Sequence, residues 1–334
     1  MSRLTILGAG SWGTALALVL SPRYERIELW THEPDLAIRM QNSRENDIFL
    51  PDIHLPENIH PTHELRAALN DATTILGVMP SQYARQVYKG IVPYVHPGMR
   101  FVSATKGIER GTLLRMSQVI EQVVGAVVPV RVAVLSGPTF AREIARGDPA
   151  AVVISSNDIQ LAAEIQSEFS GPTLRLYRNF DPIGVEIGAS LKNVIAIAAG
   201  VCEGLGLGRN SLAALITRGL AEMTRLATKL GAEPQTLSGL AGLGDLVLTC
   251  TGELSRNRRV GLELAKGRPL AAIIADTPMV AEGIETTAAA NQLASSCGVE
   301  MPISKQIGHI LNGERSPQDA LRELMERALK HEGA

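Results

Sequence analysis

Cysteine is scarce. The chain has three, Cys202, Cys250 and Cys297, far apart and without a C-x-x-C pair. A disulfide framework is therefore not expected, and the thiols read as reduced, in a cytoplasmic protein. The seven histidines form no H-x-x-x-H or H-x-H pair, so no metal site is expected. Neither sign of charge dominates. Lys and Arg number 32 against 34 Asp and Glu, a formal net charge of -2. That leaves no broad field to attract nucleic acid or an anionic membrane, so any anion site has to be local. No uncharged run reaches the ~18 residues of a membrane span. The first apolar run stops at a glycine turn, unlike a signal peptide. Repeats and low-complexity tracts are missing too.

What the chain does have is a glycine turn between a strand and a helix. Arg3-Leu4-Thr5-Ile6-Leu7 runs into Gly8-Ala9-Gly10-Ser11-Trp12-Gly13, and Thr14 to Leu20 are good helix formers. G-x-G-x-x-G in that context is the mark of a dinucleotide site. Gly8 permits the tight turn, Gly10 lets the backbone approach a pyrophosphate, and Gly13 lets the helix pack close to the sheet. Unpaired amides at the helix start then face the phosphates. The next strand, Arg26-Ile27-Glu28-Leu29-Trp30, ends at Thr31-His32-Glu33. There an acid would hold a ribose 2'-hydroxyl and a cation a 2'-phosphate. His32 leans the choice slightly towards NADP, and Glu33 pulls the other way.

Further strands are expected at 73–79, 100–105, 132–135, 151–155 and 174–177, with helices from Gln82 and from about Asp158. The Asn-, Asp- and Pro-rich stretch 41–59 reads as an ordered loop. Strands alternating with helices predict parallel βαβ units with ligands at the carboxyl ends of the strands. Lys106 and Gly137 to Thr139 stand at such ends. After about Asp181 only helices rich in Ala, Leu and Gly are expected. The fold class is thus an α/β Rossmann-like domain with a mostly parallel sheet, residues 1–185, followed by an all-α domain, residues 186–334.

In the second half, Gly184, Gly188, Lys192, Ala196 and Gly200 recur every four residues and share a helix face. Small residues there let another element come close, and the one long side chain among them is cationic. Desolvation lowers a lysine's pKa and suits it to proton transfer near neutral pH. Equally, Lys192 could reach past its neighbours to water, or pair with an acid such as Asp245 for structural reasons. Asp245 and Thr249 lie one helical turn apart behind the glycine-rich stretch 239–244. Ser255-Arg256-Asn257-Arg258-Arg259 is either a phosphate cradle at a helix start or a solvated basic face.

Together, Gly8 to Ala15, Leu50-Pro51, Pro80-Ser81, Ala104-Thr105-Lys106-Gly107, Ser136 to Ala141, Leu191 to Ala196, Gly239 to Cys250 and Ser255 to Arg259 resemble one family. It is that of bacterial NAD(P)-dependent glycerol-3-phosphate dehydrogenases, and the likeness runs from Leu4 to about Ile303. The resemblance implies hydride transfer between a nicotinamide and carbon 2 of a three-carbon phosphate. That interconverts dihydroxyacetone phosphate and sn-glycerol 3-phosphate, and supplies the latter for phospholipid synthesis. By motif, Lys192 would be the acid–base lysine and Lys106 would help polarise the same oxygen, with Asp245 and Thr249 orienting lysine and substrate. Substrate would touch Lys106, Gly137, Thr139, Lys192, Asn193, Asp245, Ser255, Arg256 and Asn257. NAD(P) would touch Gly8, Gly10, Ser11, Trp12, Gly13, His32, Lys106, Ala141, Arg256, Val280 and Glu282. Family members that favour NADPH often carry arginine just after the second strand, where this chain has His32-Glu33. The only partner implied is a small-molecule substrate, and the apolar content of the helical half is compatible with a homodimer. Two other readings use the same glycine turn: a dehydrogenase for another small hydroxy acid or phosphate, and a non-catalytic NAD(P) sensor. A sensor would have no use for Lys106, Lys192 and Asp245 together.

Overall fold

A computed structural model describes residues 3–276, 281–329 and 331–332. The first half begins β1 (Arg3–Leu7), α1 (Ser11–Leu20), β2 (Arg26–Trp30), α2 (Pro34–Ser43), β3 (Glu45–Asn46), β4 (Leu50–His54), β5 (Ile59–Thr62) and α3 (Leu65–Leu69). It continues with β6 (Thr74–Gly77), α4 (Ser81–Ile91), β7 (Arg100–Ser103), α5 (Met116–Val123), β8 (Arg131–Ser136), α6 (Ala141–Ala145), β9 (Ala150–Ser155), α7 (Ile159–Phe169) and β10 (Leu174–Asn179). The sheet has 8 strands in the order β10-β9-β8-β7-β6-β1-β2-β5. Its inner strands β6, β8 and β9 read as nearly unbroken apolar runs because helices cover both faces. Leu4, Ile6, Leu16 and Leu29 pack in the core on one side, and Ile75, Tyr88, Phe101 and Ile120 in the core on the other. The strand order reverses at β1, between β2 and β6, which opens a crevice at the carboxyl ends of β1 and β6.

The sheet is mostly parallel, as expected, with one antiparallel step where β9 meets β8; β10 runs parallel to β9. The link from β8 to β9 carries only the 5-residue helix α6, too short to return the chain along the sheet as a crossover helix does. The stretch 41–59, expected to be loop, instead holds the end of α2, the antiparallel pair β3–β4 and the start of β5, which adds to the sheet edge beside β2. The short runs between Asn, Asp and Pro are too brief for their periodicity to register.

The chain leaves the sheet at Asn179 and enters α8 (Pro182–Gly204). Asp181 caps this helix, accepting from the Gly184 amide at 2.8 Å and the Glu233 amide at 2.9 Å. Then come α9 (Arg209–Lys229), α10 (Pro234–Leu237), a π-helical turn (Leu240–Gly244), α11 (Asp245–Thr251), α12 (Arg256–Ala265), α13 (Leu270–Ala275), α14 (Glu282–Ser296), α15 (Pro302–Leu311) and α16 (Pro317–Met325). By length and composition α8 would suit a membrane, yet 94% of its most apolar window is buried inside the fold. It is the axis of the helical half, with α9, α11, α12 and α14 packed around it. Its small-residue face serves that packing. A Cβ built at Gly200 would strike the Arg258 carbonyl of α12, and one at Gly261 of α12 would strike the Ile197 carbonyl of α8. The π-helical turn lies against Gly188, where a Cβ would stand 2.8 Å from the Ala241 carbonyl oxygen.

Candidate active site

The glycine turn closes the crevice at the end of β1. Gly8 has φ +120, and a Cβ there would sit 2.8 Å from the Val78 carbonyl oxygen, so no other residue fits without strain. A Cβ at Gly13 would collide with the Gly8 carbonyl, whereas one at Gly10 meets nothing within 4 Å. The backbone is thus open only at the position assigned to the pyrophosphate. The β3–β4 segment buttresses the turn. Ser11 Oγ donates to the Phe49 carbonyl at 2.7 Å, and Asn46 Nδ2 donates to the Ala9 carbonyl and to Thr14 Oγ1, both at 2.8 Å. Asn46 is fully buried and was not singled out in the sequence, where it is one asparagine among several in a loop-like stretch. Trp12 packs among Leu50, Ile144 and Ala141, and its buried indole Nε1 has no acceptor among the described residues. Ala141 opens α6 against α1. Farther along the crevice His32 is exposed at the tip of β2, and Thr31 Oγ1 donates to the Glu33 carboxylate at 2.5 Å. Open glycine backbone, helix start and an unsatisfied indole fit an adenine dinucleotide.

The second cluster forms where the sheet meets the helical half. Asp245, completely buried, is the first residue of α11 and joins two lysines. Lys106, from the loop after β7, donates to Asp245 Oδ2 at 2.8 Å and to the Gly137 carbonyl at 3.4 Å. Lys192, from α8, donates to Asp245 Oδ1 at 2.5 Å and to Thr249 Oγ1 at 2.9 Å. Thr249 Oγ1 in turn donates to the Asp245 carbonyl at 2.6 Å, so its lone pair is aimed at the lysine. Lys192 does not reach water as a surface lysine would, since it is only 5% exposed. Burial lowers its pKa to about 8, with Lys106 adding to the fall and Asp245 opposing it.

Polar groups ring these lysines. Asn257 Nδ2 donates to Asn193 Oδ1 at 3.0 Å, and the Gly283 amide donates to Asn257 Oδ1 at 2.9 Å. The buried Asn193 Nδ2 has no hydrogen-bond partner among the described residues. Thr139 Oγ1 donates to the Gly137 carbonyl at 3.2 Å. Glu282 opens α14, and burial raises its pKa against the opposing pull of Arg256, Lys106 and Lys192. Val280 lies outside the described residues. The basic run at the start of α12 divides by role. Ser255 caps the helix, accepting from the Arg258 amide at 3.3 Å. Arg258 turns back to pair with Glu203 at 2.7 Å, so it is a structural residue and not part of a phosphate cradle. Arg256 stands exposed in the first turn, within the field of Glu282.

A dinucleotide crevice beside one buried and one part-buried ammonium group is equipment for moving a hydride to or from a carbonyl whose oxygen gains charge. Comparison with known proteins agrees. The family model described as the N-terminus of NAD-dependent glycerol-3-phosphate dehydrogenase matches residues 3–162, and the one for its C-terminus matches residues 181–322. The chain belongs to this family. A glycerol-3-phosphate dehydrogenase (NAD(P)+) of Koribacter versatilis is 54% identical over 98% of both chains. That of Citrifermentans bemidjiense is 47% identical over 99% of both. Among solved structures, glycerol-3-phosphate dehydrogenase of Coxiella burnetii superposes with a TM-score of 0.94 at 42% identity, covering 98% of this chain and 99% of the other. The enzyme is an NAD(P)-dependent oxidoreductase that interconverts sn-glycerol 3-phosphate and dihydroxyacetone phosphate.

Proposed function

We propose that Lys192 is the general acid in ketone reduction and the general base in alcohol oxidation. The observation that carries this is its burial on α8 with its ammonium group shared between Asp245 and Thr249. The bound nicotinamide supplies the hydride. Lys106, 2.8 Å from the other oxygen of Asp245, adds a second positive charge beside the substrate oxygen, where it stabilises the developing alkoxide more than the neutral ketone. Asp245 keeps the two ammonium groups in one cleft, and Thr249 fixes the direction of the Lys192 proton. Asn193 Nδ2, buried and without an acceptor among the described residues, is a donor for a substrate hydroxyl or phosphate oxygen. Arg256 with Asn257, Ser255, Gly137 and Thr139 completes the substrate site, and the α12 N-terminus adds its dipole to phosphate binding.

The division of labour follows the chain. Residues 1–185 hold the cofactor, through Gly8, Gly10, Ser11, Trp12, Gly13, His32 and Ala141, while 186–334 carry the acid–base lysine and most substrate contacts, with Glu282 against the cofactor. NADPH is the preferred cofactor in this reading, because Glu33 is engaged by Thr31 and His32 is the side chain left facing a 2'-phosphate. Three free cysteines suit a reducing cytoplasm, and a homodimer is the assembly that sedimentation would test. The reaction supplies glycerol 3-phosphate for phospholipid synthesis.

Absorbance at 340 nm, followed with dihydroxyacetone phosphate and NADH or NADPH, tests the assignment. Lys192→Ala is expected to lose about 100-fold or more in kcat, the scale of general acid catalysis, with cofactor binding intact. A mutant within a few fold of the parent would sink Lys192 as the acid. His32→Arg is expected to raise the NADPH-to-NADH ratio of kcat/KM.

A further inference from the structure

We propose that Gln82 is a positioning residue for the reaction, its carboxamide holding the backbone of the loop that carries Lys106. Gln82 sits in the first turn of α4, half-buried. Its Nε2 donates to the Ile108 carbonyl at 3.0 Å, and its Oε1 accepts from the Arg110 amide at 3.1 Å. Both ends of one planar group are therefore spent on a three-residue span that begins two residues after Lys106. An amide side chain is suited to this, because it pairs with a strand-like backbone segment as a neighbouring strand would.

The rest of the loop explains why one clasp matters. At Gly107, φ is +147, and a Cβ there would press into the Ser81 side chain, so the loop lies directly on the start of α4. Ile108 is fully buried, and not in the core of the sheet: it joins the core of the helical half with Ile187 and Leu191. Arg85 of α4 holds Glu109 through two contacts of 2.8 Å, and Arg110 reaches Glu285 of α14 at 2.8 Å. The loop is thus a bridge, with its backbone and Glu109 tied to α4 and the side chains of Ile108 and Arg110 set against the helical half. Lys106, at its near end, must meet an aspartate that belongs to α11. Among the described residues, Gln82 is the one tie to α4 that grips backbone on both sides of Glu109. The Arg85–Glu109 pair can pivot on its long side chains, whereas two backbone hydrogen bonds from one amide plane cannot.

This inference rests on the role proposed above for Lys106, and the experiment separates the two. The groups whose charge bears on Lys192 are Lys106, Asp245 and Cys250, with Glu282 opposite, itself facing Arg256. If Lys106 swings away, Asp245 is left to Lys192 alone and a positive neighbour is lost, so the lysine holds its proton to higher pH. The pH dependence of glycerol 3-phosphate oxidation would be measured for the parent enzyme, Gln82→Met, Gln82→Glu, Lys106→Met and Arg110→Ala, with NADPH affinity and melting temperature alongside.

Gln82→Met is expected to lower kcat about tenfold, the scale of a small misplacement of a catalytic group. The midpoint of its profile should rise by about half a pH unit or more, with NADPH affinity within twofold of the parent. Lys106→Met should shift the midpoint in the same direction and further. Arg110→Ala keeps the clasp and should match the parent profile. Gln82→Glu keeps the acceptor and loses the donor, so it should fall between, and it carries the test if Gln82→Met does not fold. A parent-like midpoint in both Gln82 variants while Lys106→Met moves it would overturn the clasp alone. A parent-like midpoint in Lys106→Met would overturn the Lys106 role, and the role of Gln82 with it.

Discussion

Lys192 sits between a carboxylate and a second ammonium group, and the balance of the two sets the pH at which it changes role. Burial and Lys106 together hold its pKa near 8, well under the ordinary 10.5, while Asp245 limits the fall. Below about 8 the amine keeps a proton to give to the ketone oxygen. Above it, the neutral amine can take one from the alcohol. Oxidation of glycerol 3-phosphate should therefore rise with pH through about 8, and reduction of dihydroxyacetone phosphate should fall over the same range. For stability the sign is that of a depressed lysine. The contribution is present above the unfolded value of 10.5 and is lost as pH falls through about 8. Asp245→Asn removes the main group that raises the Lys192 pKa and leaves Lys106 in place, so the oxidation midpoint should move down, opposite to the shift expected at Gln82. The substitution also leaves the buried Lys192 and the part-buried Lys106 without their counter-charge, a loss of about 3–5 kcal/mol, to be read from urea unfolding. An unchanged midpoint would mean that Asp245 does not govern the lysine.

Between elements, the close seating of α8 on α12 decides where the substrate groups stand. The glycines on each helix face the carbonyls of the other, Gly200 towards Arg258 and Gly261 towards Ile197. The first turn of α12 carries Ser255, Arg256 and Asn257, so its height over α8 sets their distance from Lys192 and Asn193. Gly200→Val should push α12 outwards, at a cost of about 1–3 kcal/mol or more in unfolding free energy, and raise KM for the phosphate substrate. Gly208, the N-cap of α9, has φ -78 and nothing within 4 Å of a built Cβ. Gly208→Ser is the matched control, expected to change stability by only a few tenths of a kcal/mol, since Ser and Gly both suit an N-cap. Equal losses at the two positions would remove the packing argument.

Across the whole molecule, stability in the helical half also depends on a buried carboxylate far from the lysines. Glu222 of α9 caps α15, accepting from the Ile303 amide at 2.6 Å and from the Ser304 amide and hydroxyl at 3.2 Å each. Burial raises its pKa above 4.5, with the Ile303 and Ser304 amides opposing. A raised carboxyl contributes stability that is complete below 4.5 and is lost as pH rises through the folded value. Glu222→Ala would leave buried amides without an acceptor, for a loss of about 1–3 kcal/mol. Because the cap joins α9 to α15 and touches neither lysine, kcat of the folded fraction should stay at the parent level. A fall in kcat with unchanged melting temperature would contradict this separation of stability from chemistry.

What the chain itself determined was local. Gly8 to Gly13 between strand and helix, Asp245 one turn before Thr249, and the apolar run of α8 are written in spacing, because a turn, a helix face and a buried helix each impose a short period on the residues. Tertiary structure decided which distant groups meet. Lys106 and Lys192 are joined through Asp245 only because the loop after β7, α8 and α11 converge, and no periodicity encodes that. The same holds for Arg258, which the linear run groups with Arg256 but which the helix turns to Glu203. It holds too for Asn46 behind the glycine turn and for Gln82 on the Lys106 loop. These are single polar side chains whose meaning lies in a backbone atom 26 to 37 residues away, and a hydrogen bond at that separation leaves no pattern in the sequence around it.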